Sequence, residues 1–219
     1  MPEINLLDRY PRSKRNIGTR TEAQSAENIR IARQYGKEYF DGSRDTGYGG
    51  YRYNPRFWTD VAADMVTHWN LKPGDRVLDV GCGKGFLVKD LMRTCPGLEV
   101  FGLDISEYAL MNCEPEVVGR LHLGNCIKLP FPDNSFSAVT AINVVHNLER
   151  DECIAAVREV ERLAPGRGYI QVDSYRTPQE RELFLSWVLT AKTHHDPAGW
   201  RQLYQEACYT GDYHWTIIE

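Results

Sequence analysis

One run of nine residues constrains this chain more than any other: Val77-Leu-Asp-Val-Gly-Cys-Gly-Lys-Gly85. An apolar strand pattern runs straight into Gly81, Gly83 and Gly85, and a helical pattern opens just afterwards. Glycines at such a point let the backbone turn sharply and approach a ligand with no side chain in the way. A phosphate-binding P-loop needs Ser or Thr after its lysine, and Lys84 is followed by Gly85. A dinucleotide fingerprint needs its third glycine at position 86, which is Phe86. A helix-capping turn would explain one or two glycines, but not the full run with Asp79 at the strand end.

Strands and helices alternate from the same place. Strands are expected at Arg76 to Val80, Glu99 to Leu103, Arg120 to Leu123, Ser137 to Ile142, Tyr169 to Asp173 and His214 to Ile218. Helices are expected at Phe86 to Arg93, Tyr108 to Cys113, Asp151 to Leu163, Pro178 to Ala191 and Ala198 to Ala207. Such alternation predicts an α/β fold: a Rossmann-like, mostly parallel sheet flanked by helices, with ligands at the carboxyl ends of the strands. Ahead of it, Thr21 to Phe40 reads as a helix, with Thr21 and Gln24 spaced as a capping box. Residues 41–55 hold four glycines and three tyrosines, the pattern of a flexible aromatic loop. Phe57 to Trp69 reads as an amphipathic helix. The expected organisation is therefore an N-terminal helical and loop extension over residues 1–56 and a ligand-binding domain over 57–219.

Charge separates the same two parts. Residues 1–55 carry ten Lys/Arg against seven Asp/Glu, and the remainder sixteen against twenty-three, for a net charge of −4. That acidic balance argues against nucleic-acid binding through bulk electrostatics. The basic stretch from Tyr10 to Asn16 is short and reads first as a solvated tail. No apolar stretch approaches the roughly 20 residues that span a bilayer, and the N-terminus lacks an apolar signal core, so a cytoplasmic location is expected. The six cysteines are scattered without metal spacing. His194-His195-Asp196 suggests a metal only at first sight; no third ligand stands near, and Asp196 before Pro197 suits a helix start.

Asp79 through Gly85, D-V-G-C-G-K-G, resembles motif I of the class I S-adenosylmethionine-dependent methyltransferases, acidic-x-G-x-G-x-G. Leu123-Gly-Asn-Cys-Ile-Lys-Leu-Pro-Phe-Pro-Asp-Asn-Ser-Phe136 is similar to the family's segment G-D-A-x-x-L-P-F-x-D-x-S-F, with Asn125 in place of the usual Asp. Arg158 to Gly166 resembles its helix-to-turn signature before the fifth strand, and the likeness spans about residues 57–207. The resemblance implies S-adenosylmethionine as cofactor and no metal. It implies a cofactor site built from Asp79, Gly81, Cys82, Gly83 and Gly85. Asp104 is expected on the ribose hydroxyls, Ile105 on the adenine face, Asn125 and Cys126 at the adenine edge, and Asn143 at the cofactor or the acceptor. Only one clear strand follows Ala207, where the family has a sixth and an antiparallel seventh, so a changed sheet edge is expected.

Methyl transfer to a hydroxyl or amine benefits from a general base. His146, just past the fourth strand, is the candidate; the alternative is an exposed loop histidine. Tyr48, Tyr51 and Tyr53 are expected in a lid closing over the acceptor, or else as packing for the extension. With Arg44, Arg52 and Arg176 they suggest a small, anionic acceptor methylated on oxygen, such as a sugar or nucleotide-sugar intermediate of surface polysaccharide. The competing readings are an RNA or protein methyltransferase, and a non-catalytic cofactor-binding protein of the same fold.

Overall fold

The computed structural model describes residues 2–11 and 24–218. Six strands form one sheet: β1 (Arg76–Val80), β2 (Glu99–Asp104), β3 (Leu121–Leu123), β4 (Ala138–Ile142), β5 (Gly168–Ser174) and β6 (Asp212–Ile217). Their order is β3-β2-β1-β4-β5-β6, and every neighbouring pair is parallel. The strand order reverses between β1 and β4, and their carboxyl ends open the crevice in which α/β folds bind ligands.

Successive residues of β1 serve opposite faces, as the two-residue period of a strand requires. Val77 packs with Val61 and Met65 of α3 (Pro55–His68) and with Leu87 and Leu91 of α4 (Phe86–Thr94). Leu78 packs with Val157 and Leu163 of α6 (Arg150–Leu163) and with Trp200 and Leu203 of α8 (Pro197–Glu206). Local chemistry starts these helices. Asn54 caps α3 ahead of Pro55, Glu149 and Glu152 close a reciprocal capping box on α6, and Asp196 caps α8 before Pro197.

The altered sheet edge takes an unexpected form. Strand β6 lies parallel beside β5 over six residue pairs, from Tyr169 with Asp212 to Ser174 with Ile217. Its outer edge is met by the N-terminal segment, where the Ile4 N–H donates to the Tyr213 carbonyl at 2.9 Å and Glu3 forms a parallel bridge with Tyr213. Covering an edge in this way removes unpaired backbone groups from solvent.

Two expected helices are shorter than predicted. The described part of Thr21–Phe40 contains α1 (Ala26–Ala32) and α2 (Lys37–Phe40), separated by a turn in which Tyr35 has a φ of 50°. Ser25 caps α1, and Gln24 donates instead to the carbonyls of Leu185 and Val188, while Thr21 lies outside the described residues. The expected helix to Ala191 ends as α7 (Pro178–Trp187), leaving the chain after Val188 to cross the carboxyl edge of the sheet. Helix α5 (Glu107–Met111) completes the α-helices among the described residues.

Candidate active site

A cavity of about 1750 Å³ lies over the carboxyl ends of β1, β2, β4 and β5. Its floor includes Asp79, Gly81, Cys82, Gly83 and Asp104. Gly81 and Gly83 have φ of 74° and 54°, left-handed values that glycine adopts at little cost. The Gly81 and Cys82 N–H groups donate to the Leu103 carbonyl, and the Gly83 N–H donates to Asp104 Oδ2 at 2.7 Å. Asp104 Oδ1 accepts from the Ser106 N–H at 2.8 Å. Burial raises the Asp104 carboxyl, while these backbone donors pull it back.

Asp79, 5% exposed, accepts a bond from the Thr140 hydroxyl at 2.7 Å. Burial pushes its carboxyl up to about 7, against the pull of Thr140 and helped by the charge of Asp104. A buried carboxylate with one hydroxyl donor and no cation among the described residues suits an ammonium group. These features fit S-adenosylmethionine: Asp79 would hold the amino group, the glycine backbone would admit the methionine part, and Asp104 would take the ribose hydroxyls. Ile105, 56% exposed, Asn125, Cys126 and Asn143 also line the cavity. The Asn125 side-chain oxygen accepts locally from the Ile127 N–H, and Asn143 has a φ of 57° with its N–H bonded to Gln171.

Gly85 departs from expectation. It caps α4 with a φ of 78° and is not a cavity residue; a Cβ there would press on Val117 and Leu121. Its glycine serves the turn and the packing behind the loop.

The extension roofs the cavity. Tyr35, Tyr39, Tyr48 and Tyr51 line it, with the Tyr39 and Tyr48 rings 5.1 Å apart and Tyr48 and Tyr51 4.5 Å apart. Thr190 lines the same wall beside them. Burial raises the Tyr48 phenol, which therefore keeps its proton at neutral pH, although Tyr48 remains 39% exposed to the cavity. The roof is fastened to the glycine loop itself: Lys84 Nζ donates to both Asp41 oxygens, at 2.9 and 2.7 Å, and to the Tyr51 carbonyl at 3.0 Å. Burial would raise the Asp41 carboxyl, but bonds from Lys84, Tyr108 and the Tyr51 N–H hold it below the usual range.

Three further expectations change. Tyr53 lies outside the cavity; its hydroxyl donates to Asp90 at 2.6 Å and its ring covers the Lys89 ammonium. Arg176 lines the cavity but is bonded to Glu180, with Nη2 to Oε1 at 2.6 Å, and Arg44 donates to the Tyr48 carbonyl, while Arg52 also lines the wall. His146 is buried, and its Nδ1 accepts from the Asp173 N–H at 3.0 Å. That fixes the neutral ring with its proton on Nε2, so neither nitrogen offers a free lone pair, and burial lowers the imidazole further below its usual value. His146 is thus a donor and an anchor for β5 rather than a base. Residues 12–23, with most of the basic stretch, lie outside the described residues. Among the described residues no group of three His, Cys, Asp or Glu is placed to hold a metal, and no helix is long and apolar enough to cross a membrane.

Sequence reasoning missed Tyr35, Tyr39, Gln171, Asp173 and Thr190, all of which line the cavity. Tyr35 and Tyr39 read only as helix periodicity. Asp173 had a usable signal, a carboxylate at the carboxyl end of a strand.

The fold and the glycine-loop floor have the architecture of the class I S-adenosylmethionine-dependent methyltransferases. Residues 78–172 match the family described as the methyltransferase domain. The chain is similar to a demethylmenaquinone methyltransferase of Symbiobacterium thermophilum, 38% identical over 148 residues, covering 62% of this chain and 57% of that one. It is also similar to a ubiquinone/menaquinone biosynthesis C-methyltransferase UbiE of Burkholderia mallei, 34% identical over 116 residues, 50% of this chain and 47% of the relative. The chain thus spans about half the length of these curated relatives. Among solved structures, the YcgJ protein of Bacillus subtilis matches with a TM-score of 0.54 at 19% identity, over 67% of this chain and 66% of that one, a likeness of fold.

Proposed function

We propose that this chain transfers a methyl group from S-adenosylmethionine to a small, planar aromatic acceptor. The aromatic roof carries the reading: four tyrosines and, further along the wall, Phe57 and Trp58 line the space that continues from the cofactor floor. Flat aromatic surfaces stack on flat ligands and exclude water, which favours alignment of the acceptor for in-line displacement. The similarity to quinone-pathway methyltransferases supports the same class of acceptor. The anionic sugar expected from the arginines has less support, since Arg176 is paired with Glu180 and Arg44 is bonded within the extension.

The test incubates the protein and S-adenosylmethionine with hydroxylated benzenes and naphthalenes, nucleotide-linked sugars and RNA, and reads release of S-adenosylhomocysteine. Turnover with the aromatic compounds alone is expected, and product analysis locates the methyl group. Release with sugars or RNA and none with aromatics overturns the proposal.

A further inference from the structure

We propose that Asp173 is the proton acceptor for a hydroxyl on the acceptor, which makes the substrate a hydroxylated aromatic; this rests on the methyl-transfer reading above. Three aspartates line the cavity. Asp79 accepts from Thr140, and Asp104 from the Gly83 and Ser106 N–H groups. The Asp173 carboxylate accepts no hydrogen bond from any described residue. It is half-buried near the carboxyl end of β5, on the same strand face as the cavity residue Gln171 two positions earlier. Its backbone is tied down by the bond from its N–H to His146 Nδ1.

A partly desolvated carboxylate lacking a donor is costly, and an O–H arriving from the acceptor supplies one. The same carboxylate repels an anionic group, which selects a neutral hydroxyl over a carboxylate or phosphate at this end of the cavity. Tyr48, Asp104 and Asp173 line one cavity, so the cofactor floor and the proposed proton acceptor face the same space. The acceptor hydroxyl gives its proton to an Asp173 oxygen. The electron pair left on the acceptor oxygen forms the new bond to the methyl carbon. The bond from that carbon to sulfur breaks, and its electron pair stays on sulfur, so the sulfonium charge is discharged and one proton is left on Asp173 for solvent.

The experiment compares wild type with Asp173→Asn and Asp173→Glu, each checked by thermal unfolding and by titration with S-adenosylhomocysteine. A first readout needs no turnover: 4-nitrophenol is bound in the presence of S-adenosylhomocysteine and its ionisation followed by phenolate absorbance. In wild type the neighbouring carboxylate should lower the phenolate-to-phenol ratio about tenfold against free 4-nitrophenol, and Asp173→Asn should abolish that shift. A second readout is turnover across phenols of falling acidity. Asp173→Asn should slow unsubstituted phenol roughly 100-fold or more, as expected for loss of a general base, and slow the readily ionised 4-nitrophenol only a few-fold; Asp173→Glu should restore part of the difference. Bound 4-nitrophenol ionising as readily as free in wild type, or an equal loss across all phenols in Asp173→Asn, overturns this inference alone. Wild type that binds the cofactor yet methylates no aromatic overturns the proposed function and this inference with it.

Discussion

Asp79 should weaken the cofactor-free protein at neutral and alkaline pH and recover that loss when an ammonium group arrives. Burial raises its carboxyl from 3.8 to about 7, with the Thr140 hydrogen bond opposing and the Asp104 charge reinforcing the rise. Between those values the native state holds a proton that the unfolded chain has lost. Stability from this group is therefore fully present below about pH 4, falls as pH rises towards 7, and is level above it. The difference of some three units corresponds to about 4 kcal/mol, an upper bound because water entering the open cavity screens the charge. Asp79→Asn removes the charge and retains an oxygen for the Thr140 hydroxyl. In urea titrations without cofactor, the variant should match wild type near pH 4.5 and exceed it by about 2–4 kcal/mol at pH 8.5. Calorimetry should show the opposite effect on binding. Wild-type affinity for S-adenosylmethionine should drop about tenfold per pH unit below 7, because binding must first ionise Asp79, whereas the variant should bind weakly and without that slope. A stability difference between variant and wild type that does not change with pH would refute the assignment of a desolvated carboxylate.

The fastening between roof and glycine loop makes its own prediction. Asp41→Ala leaves the Lys84 ammonium, 9% exposed, with the Tyr51 carbonyl and the Tyr108 ring but no described counter-charge, and should lower stability by about 2–3 kcal/mol; Lys84→Met added to it should recover part of the loss in a double-mutant cycle. Gly81→Ala forces a residue with φ of 74° to carry a Cβ against the Val144 side chain, and should cost about 1–3 kcal/mol with loss of cofactor binding by calorimetry. Tyr53→Phe should lower stability by about 1 kcal/mol through its lost bond to Asp90 and leave the acceptor KM unchanged, a result that separates Tyr53 from the cavity tyrosines.

The cofactor floor was legible in the sequence because its determinants are local. A strand, three glycines and two acidic strand ends lie within the 29 residues from Arg76 to Asp104, and each acts where chain direction alone places it. Gly85 is the exception: spacing identifies a left-handed glycine but not the side to which its absent Cβ would point. The single helix expected before Phe40 failed at Tyr35, where a left-handed residue breaks a pattern that periodicity carries straight through. The parallel seat of β6 is a tertiary outcome, since a strand's partner depends on the edge left open and not on its own alternation.

The chemistry of the acceptor end was hidden for a different reason: it depends on how lone pairs and protons are allotted among residues far apart in sequence. His146 is the residue type a base calls for, at the strand end where one belongs. Its Nδ1 lone pair is nevertheless committed to the backbone of residue 173, and the Asp173 carboxylate is left without a protein donor among the described residues. Lys84 makes the same point within motif I. Sequence comparison treats its position as free, yet its ammonium joins the loop that cradles the cofactor to Asp41 and Tyr51 of the roof. A change in the glycine loop on cofactor binding would therefore reach Tyr51 and Tyr48 directly, because the N-terminal extension and the glycine loop are joined walls of one cavity.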